Sequence, residues 1–217
     1  MNLAQKRNEM VVQFIRDYVG NGAGVVVGLS GGMDSSLVAT LAVQALGKEK
    51  VRGVIMPHHD SNSESQEHGI LIAGWLGIEY DVVDITASVE TELSALPFKP
   101  NRLVGINAKA RVRANILRAY GNQFGMLVLG TGNLSELMVG YLTKGGDGDV
   151  DFEPMGNCYK TEIWDMGRAI PGFPEAIINK VPSADLEVGQ TDEAELGMSY
   201  HELDKILKAL AIGGDTS

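Results

Sequence analysis

Cysteine is nearly missing from this sequence of 217 residues, where Cys158 stands alone. A single thiol excludes an intramolecular disulfide framework and any CxxC metal or redox site. Positive charge is also scarce. Lys and Arg number 18 against 28 Asp and Glu, for a formal net charge of −10. A surface of that sign repels phosphate backbones and anionic lipid at long range, which argues against a nucleic-acid or membrane-surface binder. A local basic pocket for one small anion is still allowed. No apolar run approaches the roughly 18 residues of a membrane-spanning helix. The charged N-terminus MNLAQKRNEMVVQF resembles neither a signal peptide nor an anchor. The expectation is a cytoplasmic protein with no nucleic-acid and no membrane partner. Hydrophobic residues at 44% and charged residues at 21% are ordinary for a globular chain, and the length suits one domain with a sizeable core.

Glycine, by contrast, is plentiful, and it punctuates a regular alternation of apolar patterns. Leu3, Met10, Val11, Phe14, Ile15 and Tyr18 fall near helical spacing and predict a helix over 2–19, stopped by Asn21-Gly22. Val25 to Leu29 is short, β-branched and bounded by glycines, which predicts a buried strand. A turn over 30–35 leads into a helix over 36–46 closed by Gly47. The pattern repeats with a strand over 51–56, a helix ending at Leu76 that opens on the capping box Ser63-Glu64-Ser65-Gln66, and a strand over 78–83. A helix over 86–96, a loop marked by Pro97 and Pro100, a long helix from about 106 to 120 and a strand over 126–129 follow. Beyond them come a Gly/Asp-rich loop over 143–157, a helix after Lys160, a polar loop over 180–198, a helix over 200–210 and a loose tail. Strands alternating with helices predict an α/β fold, a doubly wound and mainly parallel sheet in a single domain over 1–217.

The most informative stretch is Gly28-Leu29-Ser30-Gly31-Gly32-Met33-Asp34-Ser35. It lies at the carboxyl end of a strand, where ligands bind in open parallel sheets. Two adjacent glycines let backbone N–H groups approach an anion, and the helix that follows offers free amides at its positive dipole end. Ser30, Ser35 and Ser36 add hydroxyls. Asp34 conflicts with a bare phosphate ligand, and a divalent cation between the two resolves the conflict. The loop lacks both the GxxxxGK[ST] and the GxGxxG patterns. Its bland alternative is an ordinary βα turn with Asp or Ser as the cap. The SGGxDS sequence resembles the pyrophosphate loop of the N-type ATP pyrophosphatases, enzymes that adenylate a substrate and release pyrophosphate. Sulfur-transfer relatives need more cysteine and, for tRNA, a basic surface. Glutamine-using relatives need a glutaminase domain for which 217 residues leave no room.

Further stretches follow in order: Leu129-Gly130-Thr131-Gly132-Asn133-Leu134-Ser135-Glu136, Gly140 to Lys144, Gly146 to Asp151, Pro154-Met155-Gly156 and Tyr159-Lys160-Thr161-Glu162. Later come Pro182 to Leu186, Gly189 to Glu193 and Glu195 to Tyr200. With Lys109-Ala110-Arg111-Val112-Arg113 and the Ser30 loop, this set resembles the ammonia-dependent NAD synthetases from Gly28 to about Leu207. The resemblance implies a Rossmann-like sheet of the adenine-nucleotide alpha-hydrolase-like type and a homodimer. It implies that the carboxylate of deamido-NAD attacks the α-phosphorus of magnesium-bound ATP, and that ammonia then displaces AMP from the acyl-adenylate. Site roles follow residue by residue. The loop from Gly28 through Leu29, Ser30, Gly31, Gly32, Met33, Asp34 and Ser35 holds ATP, joined by Thr131, Lys160 and Ser183. Asp34 and Glu136 ligate Mg2+, and Arg113, Lys144 and Asp151 contact deamido-NAD. Lys160 offsets charge on the leaving pyrophosphate, and Asp147 receives ammonia.

Several features stand apart from that pattern. Where the family has GDGGAD or GDGGVD, this chain has GDGDVD, so Asp149 adds a charge. A calcium-loop reading of Asp147, Asp149 and Asp151 fails because Phe152 and Cys158 occupy the positions that need Gly and Glu. His58 and His59 are expected to be ordinary loop histidines, Cys158 a packed apolar residue, and residues 185–195 the loop that covers the site in the family. The family's C-terminal His-Lys pair has no counterpart here. That difference motivates an alternative, amidation of another carboxylate. A non-catalytic ATP-binding module is the third reading, and the Asp34, Glu136 and Lys160 set argues against it.

Overall fold

The computed structural model describes residues 1–187 and 189–212. Chain order runs α1 (Leu3–Val19), β1 (Val25–Gly28), α2 (Met33–Leu46), β2 (Val51–Ile55), α3 (Ser63–Leu76), β3 (Glu79–Val82), α4 (Thr86–Ser94) and α5 (Arg102–Phe124). It continues with β4 (Leu127–Leu129), α6 (Leu134–Val139), α7 (Lys160–Arg168), α8 (Glu175–Ile178), α9 (Asp192–Leu196) and α10 (Tyr200–Ile212). The four strands form one sheet in the order β3-β2-β1-β4, and every pairing is parallel. Val25 pairs with both Val51 and Leu127, so β1 is an interior strand, as is β2.

Pleating explains the two cores. Val25 and Val27 point to one face and pack with residues of α1, α2, α3 and α7, while Val26 points to the other with Val54, Val128, Val89 of α4 and Val112 of α5. With both faces covered, β1 is apolar at every position until Gly28, and Val25 to Val27 are fully buried. The chain moves outward from β1 to β2 and β3, then returns to add β4 on the far side of β1. That reversal is a topological switch point, and it opens a crevice beyond the carboxyl ends of β1 and β4.

Where elements differ from expectation, a local cause is visible. Helix α2 starts at Met33, with Gly32 as a cap that makes no side-chain hydrogen bond, so its first amides stay free. The start of α3 is capped by Asn62, whose side chain accepts from the Glu64 N–H at 3.0 Å, in place of the expected Ser63 box. Helix α5 begins at Arg102 because Asn101 caps it through the Val104 N–H at 3.0 Å. The helices α6 and α8 are too short to show a period, and α9 interrupts the loop expected over 180–198, opened by a Thr191 cap. Helix α10 extends to Ile212, and the rest of the expected tail, 213–217, lies outside the described residues.

Candidate active site

A cavity of about 550 Å³ lies at the switch point. The turn after β1 forms one wall with Gly28, Leu29, Ser30, Gly32, Met33, Asp34 and Ser35. Gly31 completes the turn at φ +68°, and a side chain there would also meet His68 Cβ at 2.8 Å. Only glycine satisfies both constraints cheaply. The turn after β4 adds Gly130 and Thr131, α6 adds Glu136, and α7 opens on Lys160.

These last residues converge. The Lys160 ammonium, on a residue 3% exposed, donates to Asp34 Oδ2 and lies 3.6 Å from Glu136 Oε1. Asn133 Nδ2 holds the other Asp34 oxygen at 3.0 Å, while the Asn133 and Glu136 side chains cap α6 reciprocally. Burial works to lower the Lys160 pKa, but Asp34 and Glu136 overcome it and hold the amine protonated. Burial pushes the Glu136 carboxyl up to about 8 against the pull of Lys160. Two carboxylates around one ammonium leave the group short of positive charge, and buried Asp192 adds to the deficit. Tyr200, fully buried, donates its hydroxyl to Asp192 Oδ2 at 3.1 Å and sits 3.4 Å from Glu136 Oε1. Burial raises both the Asp192 carboxyl and the Tyr200 phenol.

Two carboxyls close enough for one cation to touch both suit a hard divalent ion. Asp34 and Glu136 are therefore the residues that could hold magnesium.

The other expected residues divide into two groups. Arg113 lines the cavity, with Nε donating to the Met56 carbonyl at 3.1 Å, and burial lowers its pKa. Asp147 also faces the cavity and accepts from the Thr143 N–H at 2.8 Å. Burial raises the Asp147 carboxyl, although much of the residue is open to the cavity, where water moderates that effect. Ser183 is in the wall and its hydroxyl accepts from the Asp185 N–H at 3.0 Å. Lys144 and Asp151 are not brought in. Lys144 is exposed outside the wall, and its carbonyl accepts from Arg111 Nε at 3.2 Å. Asp151 accepts from the Val128 N–H at 2.7 Å and from Arg118 at 2.5 Å, which ties its loop to β4.

Sequence reasoning missed Asn133, Asp192, Tyr200, Tyr141 and Glu153. Asn133 was detectable, since Asn followed by Glu three residues later is a capping signature. Nothing in the pattern around Tyr200 marks its hydroxyl as buried. The segment from Lys180 to Glu195 contributes to the cavity and is held by side chains from elsewhere. Lys109 Nζ donates to the Leu186 carbonyl at 2.6 Å and to both Asp60 oxygens at 2.8 Å. Arg102 bonds Glu187 and Glu195, and Tyr141 donates to Glu195 Oε2 at 2.7 Å. His58, His59 and Asp60 approach one another, but the Lys109 ammonium occupies both Asp60 oxygens, so the group is an ion pair with a histidine attached.

Comparison with known proteins agrees with this geometry. The family described as NAD synthase matches residues 7–215. The NH(3)-dependent NAD(+) synthetase of Methanosarcina mazei is 45% identical, over 98% of this chain and 84% of that one. Among solved structures, NMN synthetase from Francisella tularensis superposes with a TM-score of 0.90 at 32% identity, covering 96% of this chain and 87% of that one. The NH3-dependent NAD synthetase from Campylobacter jejuni gives 0.82 at 33% identity, covering 100% and 86%. A family match over residues 7–215 and a relative 45% identical over 98% of the chain place the chain in the NAD synthase family.

Proposed function

We propose that the chain catalyses ATP-dependent amidation of deamido-NAD with ammonia, giving NAD, AMP and pyrophosphate through an acyl-adenylate. The observation that carries this reading is the convergence of Asp34, Glu136 and Lys160 beside free helix amides at the carboxyl edge of the sheet. The Ser30 to Ser35 turn cradles the phosphates with backbone N–H groups and hydroxyls, and Thr131 and Ser183, which line the same cavity, contact ATP. Asp34 and Glu136 would hold Mg2+, which would supply charge neutralisation to the phosphates. Lys160, buried between the same two carboxyls, offsets the charge that builds on the departing pyrophosphate. The carboxylate of the substrate displaces that pyrophosphate at the α-phosphorus. The ammonia nitrogen then attacks the acyl carbon, the bond to AMP breaks, and Asp147 orients the amine. No covalent enzyme intermediate is required, because positioning and electrostatics supply the catalysis.

Arg113 reaches the cavity and suits the charged dinucleotide. Lys144 and Asp151, outside the cavity of one chain, fit the same ligand only as contacts made near a second copy, in keeping with a homodimer. That gap favours one second reading, a carboxylated mononucleotide as acceptor, as the NMN synthetase likeness also suggests. The enzyme is assigned to the cytoplasm; among the described residues no helix is long and apolar enough to cross a membrane.

The experiment supplies ATP, magnesium and ammonium with either deamido-NAD or nicotinate mononucleotide. NAD and AMP in equal amounts are expected with deamido-NAD, at a higher kcat/KM than the mononucleotide gives. Preference for the mononucleotide would replace the first reading with the second.

A further inference from the structure

Glu153 is a titratable group that the mechanism above leaves unused. It follows Phe152, which bridges to the end of β4, and its Oε2 accepts from the Gly132 N–H at 2.9 Å. Gly130 and Gly132 are shaped around it. A Cβ on Gly130 would lie 2.6 Å from Glu153 Oε1, and one on Gly132 would lie 3.1 Å from the same atom. The two glycines of the Gly130-Thr131-Gly132 turn therefore leave space for a carboxyl at the ligand-binding edge of the sheet. That edge also bounds a second, smaller chamber of about 40 Å³, with Glu153 and Asp147 in its wall. A water-sized molecule needs only about 15 Å³ of such space. Thr131, Glu136, Tyr141, Leu142 and Asp147 border both the chamber and the large cavity, so the two adjoin.

On the proposed amidation, the large cavity supplies an acyl-adenylate and the reaction still lacks a proton acceptor for the amine. We propose that Glu153, in the wall of the same small chamber as the ammonia residue Asp147, is the base that takes the proton of the incoming amine. The balance is closed. The nitrogen lone pair forms the C–N bond, the C–O bond to AMP breaks with its electrons going to the phosphate oxygen, and the proton on nitrogen passes to the Glu153 carboxylate. Asp147, fixed by the Thr143 N–H, holds a second N–H of the amine. The two carboxyls differ in their surroundings. Burial raises the Asp147 carboxyl against hydrogen bonds from Thr143 and its own backbone and a smaller pull from Arg113, whereas Glu153 has only the Gly132 N–H as counterweight and feels Asp147 as a like charge. Burial raises Glu153 to about 7, near where a general base works best at neutral pH. Asp147, Glu136 and the Tyr141 phenol are the other ionisable groups in the chamber wall.

This inference rests on the proposed function, so its test separates the two half-reactions. Wild type and Glu153→Gln are compared with ATP, magnesium and deamido-NAD in two assays: ATP–pyrophosphate exchange without amine, and NAD formation with ammonium from pH 6 to 9. The Gln carbonyl can still accept from Gly132. Exchange is expected within about twofold of wild type, while NAD formation falls by about 10²–10⁴-fold, the usual contribution of a general base. The variant is also expected to lose the wild-type rise in rate, per unit of free ammonia, through about pH 7. Undiminished NAD formation by the variant, or equal loss of exchange and amidation, would overturn the role. Glu153→Asp is the second variant, since it keeps the charge and draws the carboxyl back by one methylene. Slowed amidation with exchange preserved is expected, and unchanged amidation contradicts the proposal. Wild-type enzyme that shows no acid-dependent exchange would instead sink the proposed function itself.

Discussion

The side of the cavity formed by the Ser30 and Gly130 turns consists of strand ends and first helical turns, whereas the described residues from Lys180 to Gly197 carry a single five-residue helix and are tied down by side chains. In the first region the Ser30 turn, the Gly130 turn and Lys160 are positioned by a sheet buried on both faces. In the second, Arg102, Lys109 and Tyr141 reach across from other elements to hold Glu187, Leu186 and Glu195. The contrast is between a scaffold that fixes chemistry by burial and a cover that closes by charge. Burial is insensitive to salt, while half-exposed ion pairs are screened by it.

The largest effect is expected from breaking the scaffold's charge balance. Lys160→Ala should lower turnover by about 10²–10³-fold, as loss of one stabilising group at a developing charge does, with ATP affinity changed only a few-fold. It also leaves half-buried Asp34 and Glu136 without their counter-ion. Melting without metal should fall by the equivalent of about 3–5 kcal/mol, and magnesium should restore most of it. Steady-state kinetics and calorimetry with and without magnesium check both halves. Equal loss of ATP binding and turnover would count against the assigned role.

Next in size is Gly31→Ala. The residue is at φ +68° with the α3 backbone packed against it, so alanine should cost about 1–3 kcal/mol in urea unfolding and weaken ATP binding with it. Full stability with normal ATP binding would show that the turn is less constrained than its geometry demands.

The pH dependence of stability sharpens the comparison within the scaffold. The folded-state pKa of Glu153 is raised from 4.5 to about 7, so the folded protein binds this proton more tightly than the unfolded chain. The associated stability is present below pH 4.5 and is lost as pH rises through about 7. Glu153→Gln should therefore gain on wild type between pH 5 and pH 8 in denaturant midpoints. A pH-independent difference would mean that the carboxyl is well solvated.

The smallest effect belongs to the cover. Arg102→Ala should leave the melting temperature unchanged, because the pairs it makes are exposed, and should raise KM for ATP a few-fold without changing kcat. Added salt should raise the wild-type KM toward that of the variant. A large loss of kcat would show that the segment does more than close.

The same contrast explains what the sequence disclosed. The succession of β1 to β4 along the chain and the crevice at their carboxyl ends were legible because short apolar runs are bounded by turn residues, whereas the roles expected of Asp34, Glu136 and Lys160 came from the family resemblance of their motifs. The start of α5 was hidden because its first turn, Arg102 to Gly105, lacks an apolar stripe and Asn101 alone sets it. Tyr200, Asp192 and the Arg102 clasp were hidden for another reason. Their partners lie 8 to 93 residues away, and pairing of that kind leaves no period to read. Glu153 falls between these cases, since its reason for existing is space left by Gly130 and Gly132, which only the folded backbone shows.

ATP–pyrophosphate exchange, with magnesium and deamido-NAD present and ammonium absent, tests the central claim most directly. Wild-type enzyme is predicted to exchange label only when deamido-NAD is present, and Lys160→Ala to lose exchange while still binding ATP. Exchange that proceeds without the acid, or that survives intact in the variant, would contradict the assignment of Asp34, Glu136 and Lys160 as the seat of adenylation.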